Sequence, residues 1–271
     1  MENKELALHA KEIRKIIITA VYKAGSGHSG GSLFVADILI YLYFEEMNID
    51  PEKPDMENRD RFVLSKGHGA PGLYAVLAQR GYFSKDDVYS LRKINSKFQG
   101  HPDKNKIKGV EMSTGSLGQG FSASIGMALA DKLDKKSRRV FVMLGDGEIQ
   151  EGIVWEAAMS AGHYNLSNFT AIVDWNGLQI DGKNQDVMTV TPIKEKFEAF
   201  GFNAFEIDGH DFDSIKARFK KAERSDKPCL ILAKTVKGKG VSFMENQAGW
   251  HGKAPDKEQF EQAIFDLKGE L

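Results

Sequence analysis

Two apolar periods alternate along this chain and divide it into helices and strands. Ile13, Ile16, Ile17, Ala20, Val21 and Ala24 recur at helical spacing, which predicts an amphipathic first helix ended by Gly25-Ser-Gly-His-Ser-Gly-Gly31. A buried helix over 33–47 is predicted next. Its strongly apolar part, Leu33 to Phe44, is too short to span a bilayer of about 30 Å and is interrupted by Asp37. Arg61-Phe-Val-Leu-Ser65 predicts a short strand that runs into Lys66-Gly-His-Gly-Ala-Pro-Gly72 and a helix to about Arg80. Residues 94–116 carry no period. A helix of small residues follows, with Gly118, Gly120, Ala123, Ser124, Gly126 and Ala128, and the chain closes with strands near 202–207 and 229–234, a helix around 212–223 between them, and a short final helix. Alternating strands and helices with no repeat or long linker predict an α/β fold: one doubly wound domain over 1–271, mostly parallel, with helices on both faces.

Val140-Phe-Val-Met-Leu-Gly-Asp-Gly147 and Phe169-Thr-Ala-Ile-Val-Asp-Trp-Asn-Gly-Leu178 are apolar runs that break into polar turns, and Glu151 to His163 between them is helical in pattern. The interval is a β-α-β unit, so both strands end on one edge of the sheet, where ligands of open α/β sheets bind. Asp146 and Asn176 stand at those two ends. An Asp carboxylate, an Asn amide oxygen and a backbone carbonyl just beyond, at Leu178, are hard oxygen donors. They suit Mg²⁺, with Ca²⁺ or Mn²⁺ as substitutes, held jointly by the protein and the oxygens of a diphosphate.

Composition narrows the class. The chain has 271 residues, 41% hydrophobic content and a net charge of -1, which is ordinary for a soluble globular protein and gives no basic footprint for nucleic acid. The single cysteine, Cys229, lies in an apolar run and predicts a buried thiol. Without a second cysteine or a signal-peptide core the expectation is a cytoplasmic protein with no membrane role.

Gly25-x-Gly27-x-x-Gly30 matches a dinucleotide fingerprint, but a helix precedes it where the fingerprint needs a strand. Its value lies in His28. His68, His101 and His251 likewise stand in glycine- or proline-rich loops, so four of seven histidines sit where a backbone approaches a ligand closely. Ser113-Thr-Gly-Ser-Leu-Gly-Gln-Gly120 opens the small-residue helix and reads either as an anion site at its amino end or as a helix cap followed by close packing. Lys237-Gly-Lys-Gly240 is read as a solvated loop, with contact to a phosphate as the alternative.

These segments together resemble the thiamine diphosphate enzymes, and most closely the amino-terminal half of transketolase. The resemblance rests on Gly25-Ser-Gly-His-Ser-Gly-Gly, Ser65-Lys-Gly-His-Gly, Gly100-His-Pro-Asp, Ser113-Thr-Gly-Ser-Leu-Gly-Gln-Gly, Gly145-Asp-Gly-Glu-Ile-Gln-Glu-Gly152, Asp174-Trp-Asn-Gly-Leu-Gln-Ile-Asp-Gly182 and Lys234-Thr-Val-Lys-Gly-Lys-Gly240, in family order over 25–252. It implies that Asp146, Asn176 and the Leu178 carbonyl bind Mg²⁺. It implies that His68, Gly115, Ser116, Leu117, Gly147, Asn176 and His251 contact thiamine diphosphate, with Ile180 against its rings. His28 and His251 would lie at the scissile bond, His101 would hold the donor's first hydroxyl, and Glu151 would sit at a contact between subunits. Two departures stand out: Ser116 replaces a proline common in transketolases, and the Trp250-His251 stretch is shorter.

No segment resembles the second domain that supplies transketolases with an activating glutamate and a grip on the sugar phosphate. The resemblance therefore implies the amino-terminal subunit of a split enzyme, paired with a carboxyl-terminal subunit, α2β2 by family habit. The implied reaction moves a two-carbon ketol unit from a ketose to an aldose, by default in pentose-phosphate metabolism, with His28 and His251 as imidazoles titrating near neutrality. The alternatives are a deoxyxylulose-phosphate synthase-like, an oxo-acid dehydrogenase-like or a non-catalytic, regulatory cofactor-binding subunit.

Overall fold

The computed structural model describes residues 1–269. Its centre is a five-stranded, wholly parallel sheet of β1 (Arg61–Leu64), β2 (Val140–Gly145), β3 (Phe169–Trp175), β4 (Asn203–Asp208) and β5 (Cys229–Lys234), in the spatial order β1-β2-β3-β5-β4. Buried parallel strands carry apolar residues on both faces. Phe141 and Met143 of β2, Ile172 of β3 and Ile231 of β5 join one core, whereas Val140, Val142, Leu144, Val173, Leu230 and Leu232 join the other.

Helices cover both faces. The first core is closed by α1 (Asn3–Ala24), α2 (Ser29–Leu33), α3 (Ala36–Tyr41), α4 (Ala70–Arg80) and, later in the chain, α8 (Phe212–Glu223) and α9 (Lys257–Asp266). The second is closed by α5 (Gln119–Leu133), α6 (Gly152–His163) and α7 (Ile193–Ala199). The chain leaves β3 towards α7 on one face and leaves β5 towards α9 on the other. A crevice therefore opens between their carboxyl ends, the switch point at which open α/β sheets bind ligands.

Most predicted elements fall within a residue or two of their observed bounds, and Gly25 ends α1 in the left-handed conformation (φ 65°). The predicted helix over 33–47 is different. The chain there forms α2, α3 and one wide turn over Leu42–Glu46, with every residue from Leu33 to Tyr43 buried. Asp37, which interrupts the apolar run, is buried against Arg14 rather than exposed. Cys229 is buried as predicted. Among the described residues no helix is long and apolar enough to cross a membrane.

One close approach fixes the second layer. A Cβ at Gly162 of α6 would stand 1.7 Å from the Phe200 carbonyl oxygen. Glycine-to-alanine changes inside a helix ordinarily stabilise by about 0.5–1 kcal/mol. Gly162→Ala should instead destabilise by about 2–3 kcal/mol through overpacking, measured by urea unfolding.

Candidate active site

Four strand ends meet at the carboxyl edge. Asp146 follows β2; its N–H donates to the Asp174 carbonyl of β3 (3.1 Å), and its carboxylate accepts the N–H groups of Gly147 (2.9 Å) and Gly177 (2.6 Å). That last bond ties the tip of β2 to the turn after β3, so the two predicted tips are joined. In the turn, Asn176 Oδ1 accepts the Leu178 N–H (3.0 Å) and its amide donates to Asp174 (3.4 Å). Burial, reinforced by the negative charge of Asp174, pushes the Asp146 carboxyl up to about 6. Among the described residues no three His, Cys, Asp or Glu side chains cluster as metal ligands. The oxygen set at these tips contains one free carboxylate.

A cavity of about 330 Å³ opens over these tips, walled by His28, His68, Gly115, Leu117, Asp146, Gly147, Asn176, Leu178, Ile180 and His251 among others. Its floor carries two buried lysines. Lys66, just past β1, donates to Asp174 Oδ2 (2.6 Å), and the other oxygen of that carboxylate accepts from Thr235 Oγ1. Lys237, just past β5, is only 2% exposed. Its Nζ lies 3.0 Å from His251 Nδ1 and 3.5 Å from the Leu178 carbonyl, and burial pulls its pKa down to about 8. The solvated-loop reading of Lys237-Gly-Lys-Gly is thereby corrected: Gly238 donates to the Gly30 carbonyl (3.4 Å) and folds the segment onto the cleft.

Three imidazoles form a triangle above. Ring centres are 5.2 Å apart for His28 and His68, 5.5 Å for His28 and His251, and 5.1 Å for His68 and His251. Burial is the largest cause holding His28 and His251 to about 4 and His68 to about 2, with Arg92 adding to the effect at His28, Lys237 at His251 and Lys66 at His68. The expectation of titration near neutrality is overturned: these rings are neutral at pH 7. His28 Nδ1 is buried without a hydrogen-bond partner.

The sequence pattern allows an anion at the amino end of α5, and the fold supplies one internally. Glu148, 2% exposed, accepts the N–H groups of Gly118 (2.8 Å) and Gly145 (3.0 Å) and the hydroxyl of Ser65. Ser65 Oγ in turn accepts the Phe121 N–H (3.0 Å). One carboxylate thus locks β1, β2 and α5 together and takes the positive end of that helix.

His28, His68, Gly115, Leu117, Asp146, Gly147, Asn176, Leu178, Ile180 and His251 are brought together as the sequence pattern demands. His101 and Ser116 are exposed and stand outside the cavity wall, with the His101 ring packed against Gly115, where a Cβ would be 3.2 Å from its Cδ2. Glu151 is exposed at the mouth. The sequence reading missed Lys66, Asp174, Glu148 and Gln179, all on the wall. Asp174 left a signal, a charge ending an apolar strand two residues before Asn176. Glu148 left none, because its partners come from three separate segments.

The fold and this edge match a known family. The sequence pattern described as "Transketolase, thiamine diphosphate binding domain" matches residues 6–267. The chain belongs to this family, as its amino-terminal subunit type. It is 43% identical over 267 residues to the 6-deoxy-6-sulfo-D-fructose transketolase subunit of Clostridium sp. (strain MSTE9), covering 98% of this chain and 97% of that protein. It is 40% identical over 268 residues to an apulose-4-phosphate transketolase subunit of Phocaeicola vulgatus, covering 98% of this chain and 95% of that protein. The crystal structure of transketolase from Campylobacter jejuni superposes with a TM-score of 0.95 at 36% identity, over 100% of this chain and 44% of that one.

The neutral imidazoles set a pH dependence. Their folded pKa values lie below the usual 6.5, so the unfolded chain takes up protons first, and stability falls as pH drops from 6.5 towards 4. The double variant His28→Gln/His251→Gln should lose less stability between pH 7 and pH 5 than the wild type in urea titrations. Equal losses in the two proteins would count against buried neutral rings.

Proposed function

We propose that the chain, acting over 1–271 as one thiamine diphosphate-binding domain, moves a two-carbon ketol unit from an anionic ketose to an aldose when joined by a carboxyl-terminal partner subunit. The observation that carries this reading is the meeting of the Asp146 carboxylate, Asn176 and the Leu178 carbonyl at adjoining strand tips beside a buried Lys237. Hard oxygens with one free carboxylate make a weak cation site alone and a sound one once diphosphate oxygens complete the shell. Asp146, Asn176 and Leu178 would hold Mg²⁺. Lys237, His68 and the glycine walls at Gly115 and Gly147 would receive the phosphates, and the exposed Ile180 would cover the rings.

When bound, thiamine diphosphate supplies a nucleophilic thiazolium carbon and an electron sink for breaking a carbon–carbon bond next to a carbonyl. The chain's own residues handle protons and orientation. An ammonium at Lys237 donating to His251 Nδ1 leaves the ring proton on Nε2, so His251 serves as a donor to a substrate oxygen. His28, kept neutral by burial, takes the proton of the substrate's C3 hydroxyl. His101, at the rim, holds the donor's first hydroxyl. The relatives named for a sulfonated and a phosphorylated sugar support an anionic ketose. The full transketolases extend far beyond the matched part, which supports a partner supplying the anion grip and the activating glutamate. A cytoplasmic setting accords with the single buried thiol of Cys229.

Asp146→Ala should abolish metal-dependent binding of thiamine diphosphate while leaving the far-ultraviolet circular dichroism unchanged; a normal cofactor titration would remove Asp146 from the site. Calorimetry should show Mg²⁺ and inorganic pyrophosphate binding far more tightly together than either does alone. The purified chain should transfer no ketol group until the partner is added, and robust turnover by the homogeneous chain would defeat the split-site reading.

A further inference from the structure

Lys237 reaches the cleft from a segment that has left the sheet. β5 ends at Lys234, and the Thr235 N–H still bonds to the Trp175 carbonyl (3.2 Å), extending the ladder by one residue. The next N–H, that of Val236, has no strand beside it. It donates instead to His210 Nε2 (2.9 Å). His210 stands just past β4, the edge strand, in a turn set by its own N–H donating to Asp208 Oδ1 (2.9 Å). A strand remote from the cavity therefore places the residue on which the Lys237 segment rests.

The other ring nitrogen is equally committed. His210 Nδ1 lies 2.7 Å from Asp37 Oδ2, and Asp37 is paired with Arg14 through both carboxylate oxygens. Arg14 Nε donates to the Leu33 carbonyl (3.0 Å). Asp37 is 5% exposed and Arg14 7%, so the support for His210 is a buried ion pair between α1 and α3. Burial raises the Asp37 carboxyl, but the Arg14 charge and the hydrogen bonds from His210 and Arg14 outweigh it and hold Asp37 below its ordinary value. Because Nε2 accepts an N–H, the single proton of neutral His210 sits on Nδ1 and is donated to Asp37. That is the reverse of the tautomer neutral histidine favours in water.

We propose that His210 is a positioning residue for phosphate binding: by accepting the Val236 N–H it fixes the segment from which Lys237 enters the cleft. The proposal rests on the reading of Lys237 as a phosphate-binding residue. Without the ring, the Val236 N–H loses its acceptor and the turn after Thr235 loses its hold on the edge strand. The Lys237 ammonium is then held beside Leu178 and His251 less firmly, by the ties on its carboxyl-terminal side alone: the Gly238 N–H on the Gly30 carbonyl (3.4 Å) and the Asn246 N–H on the Lys237 carbonyl (2.9 Å). Glutamine at this position can place an amide oxygen where Nε2 stood, whereas alanine cannot.

The test uses the full chain with Mg²⁺ and inorganic pyrophosphate, titrated by calorimetry. Lys237→Met should weaken binding, and His210→Ala should weaken it by about tenfold, the scale on which outer partners of a bound group act. His210→Gln should recover most of that loss. Long-range ¹H–¹⁵N spectra of the wild type should show His210 protonated on Nδ1, and hydrogen exchange at Val236 should quicken in His210→Ala alone. A purely structural role would lower the melting temperature of both His210 variants and leave the affinity of the folded protein unchanged, which would overturn the proposal. So would an Nε2-protonated His210. Should Lys237→Met bind as tightly as the wild type, the phosphate reading of Lys237 falls and takes this proposal with it; loss in Lys237→Met with none in His210→Ala sinks this proposal alone.

Discussion

The site depends on an unequal treatment of two carboxylates 28 residues apart in sequence and adjacent in space. Asp174 is ion-paired with Lys66 inside the protein and accepts the Thr235 hydroxyl. Asp146 accepts the backbone N–H groups of Gly147 and Gly177 and makes no direct ion pair, although the Lys237 ammonium lies within reach of its charge. An isolated buried charge is costly, and proteins answer it with a proton, a partner or a metal ion. The first answer shows in the raised pKa of Asp146, and the third is the one its oxygen-rich surroundings suit. Had Lys66 been placed against Asp146 instead, the strand tips would hold a closed salt bridge and attract nothing.

The pattern of apolar runs made the sheet and most helices legible, because parallel strands buried on both faces are written as short continuous blocks and their crossovers as helical periods. Asp146 and Asn176 were legible for the same reason: each ends such a block. The broken segment between Ser29 and Glu46 was not, since a stretch buried on every side from Leu33 to Tyr43 has no period by which a bend would show. Lys237 was misjudged because a glycine-flanked lysine after a strand looks the same in sequence whether the loop lies in solvent or folds back over the cleft. Its burial is decided by a contact with Gly30, some two hundred residues earlier. Glu148 escaped notice for a similar reason, as its meaning lies in donors from Ser65, Gly118 and Gly145.

The imidazole triangle teaches a related lesson about charge. Each ring stands in a glycine-rich loop that sequence makes plain, yet burial and nearby cations decide its protonation. Rings held neutral are acceptors or single donors rather than cations, which suits proton handling on sugar hydroxyls better than the binding of anions. On the proposed reading the charge that recognises an anion comes from Lys237 and a bound cation, with His68 and the glycine walls at Gly115 and Gly147 as neutral contacts. His101 and Ser116 stand exposed at the rim.

Glu148 carries one further consequence. Many α/β proteins offer the bare amino end of a helix to a lone phosphoryl group, but here that end of α5 is already plugged by a side chain of the fold itself. On the proposed reading the cleft recognises its ligand by chelation instead, so that two linked phosphoryl groups bridging a cation would hold where a monophosphate, however abundant, would compete poorly.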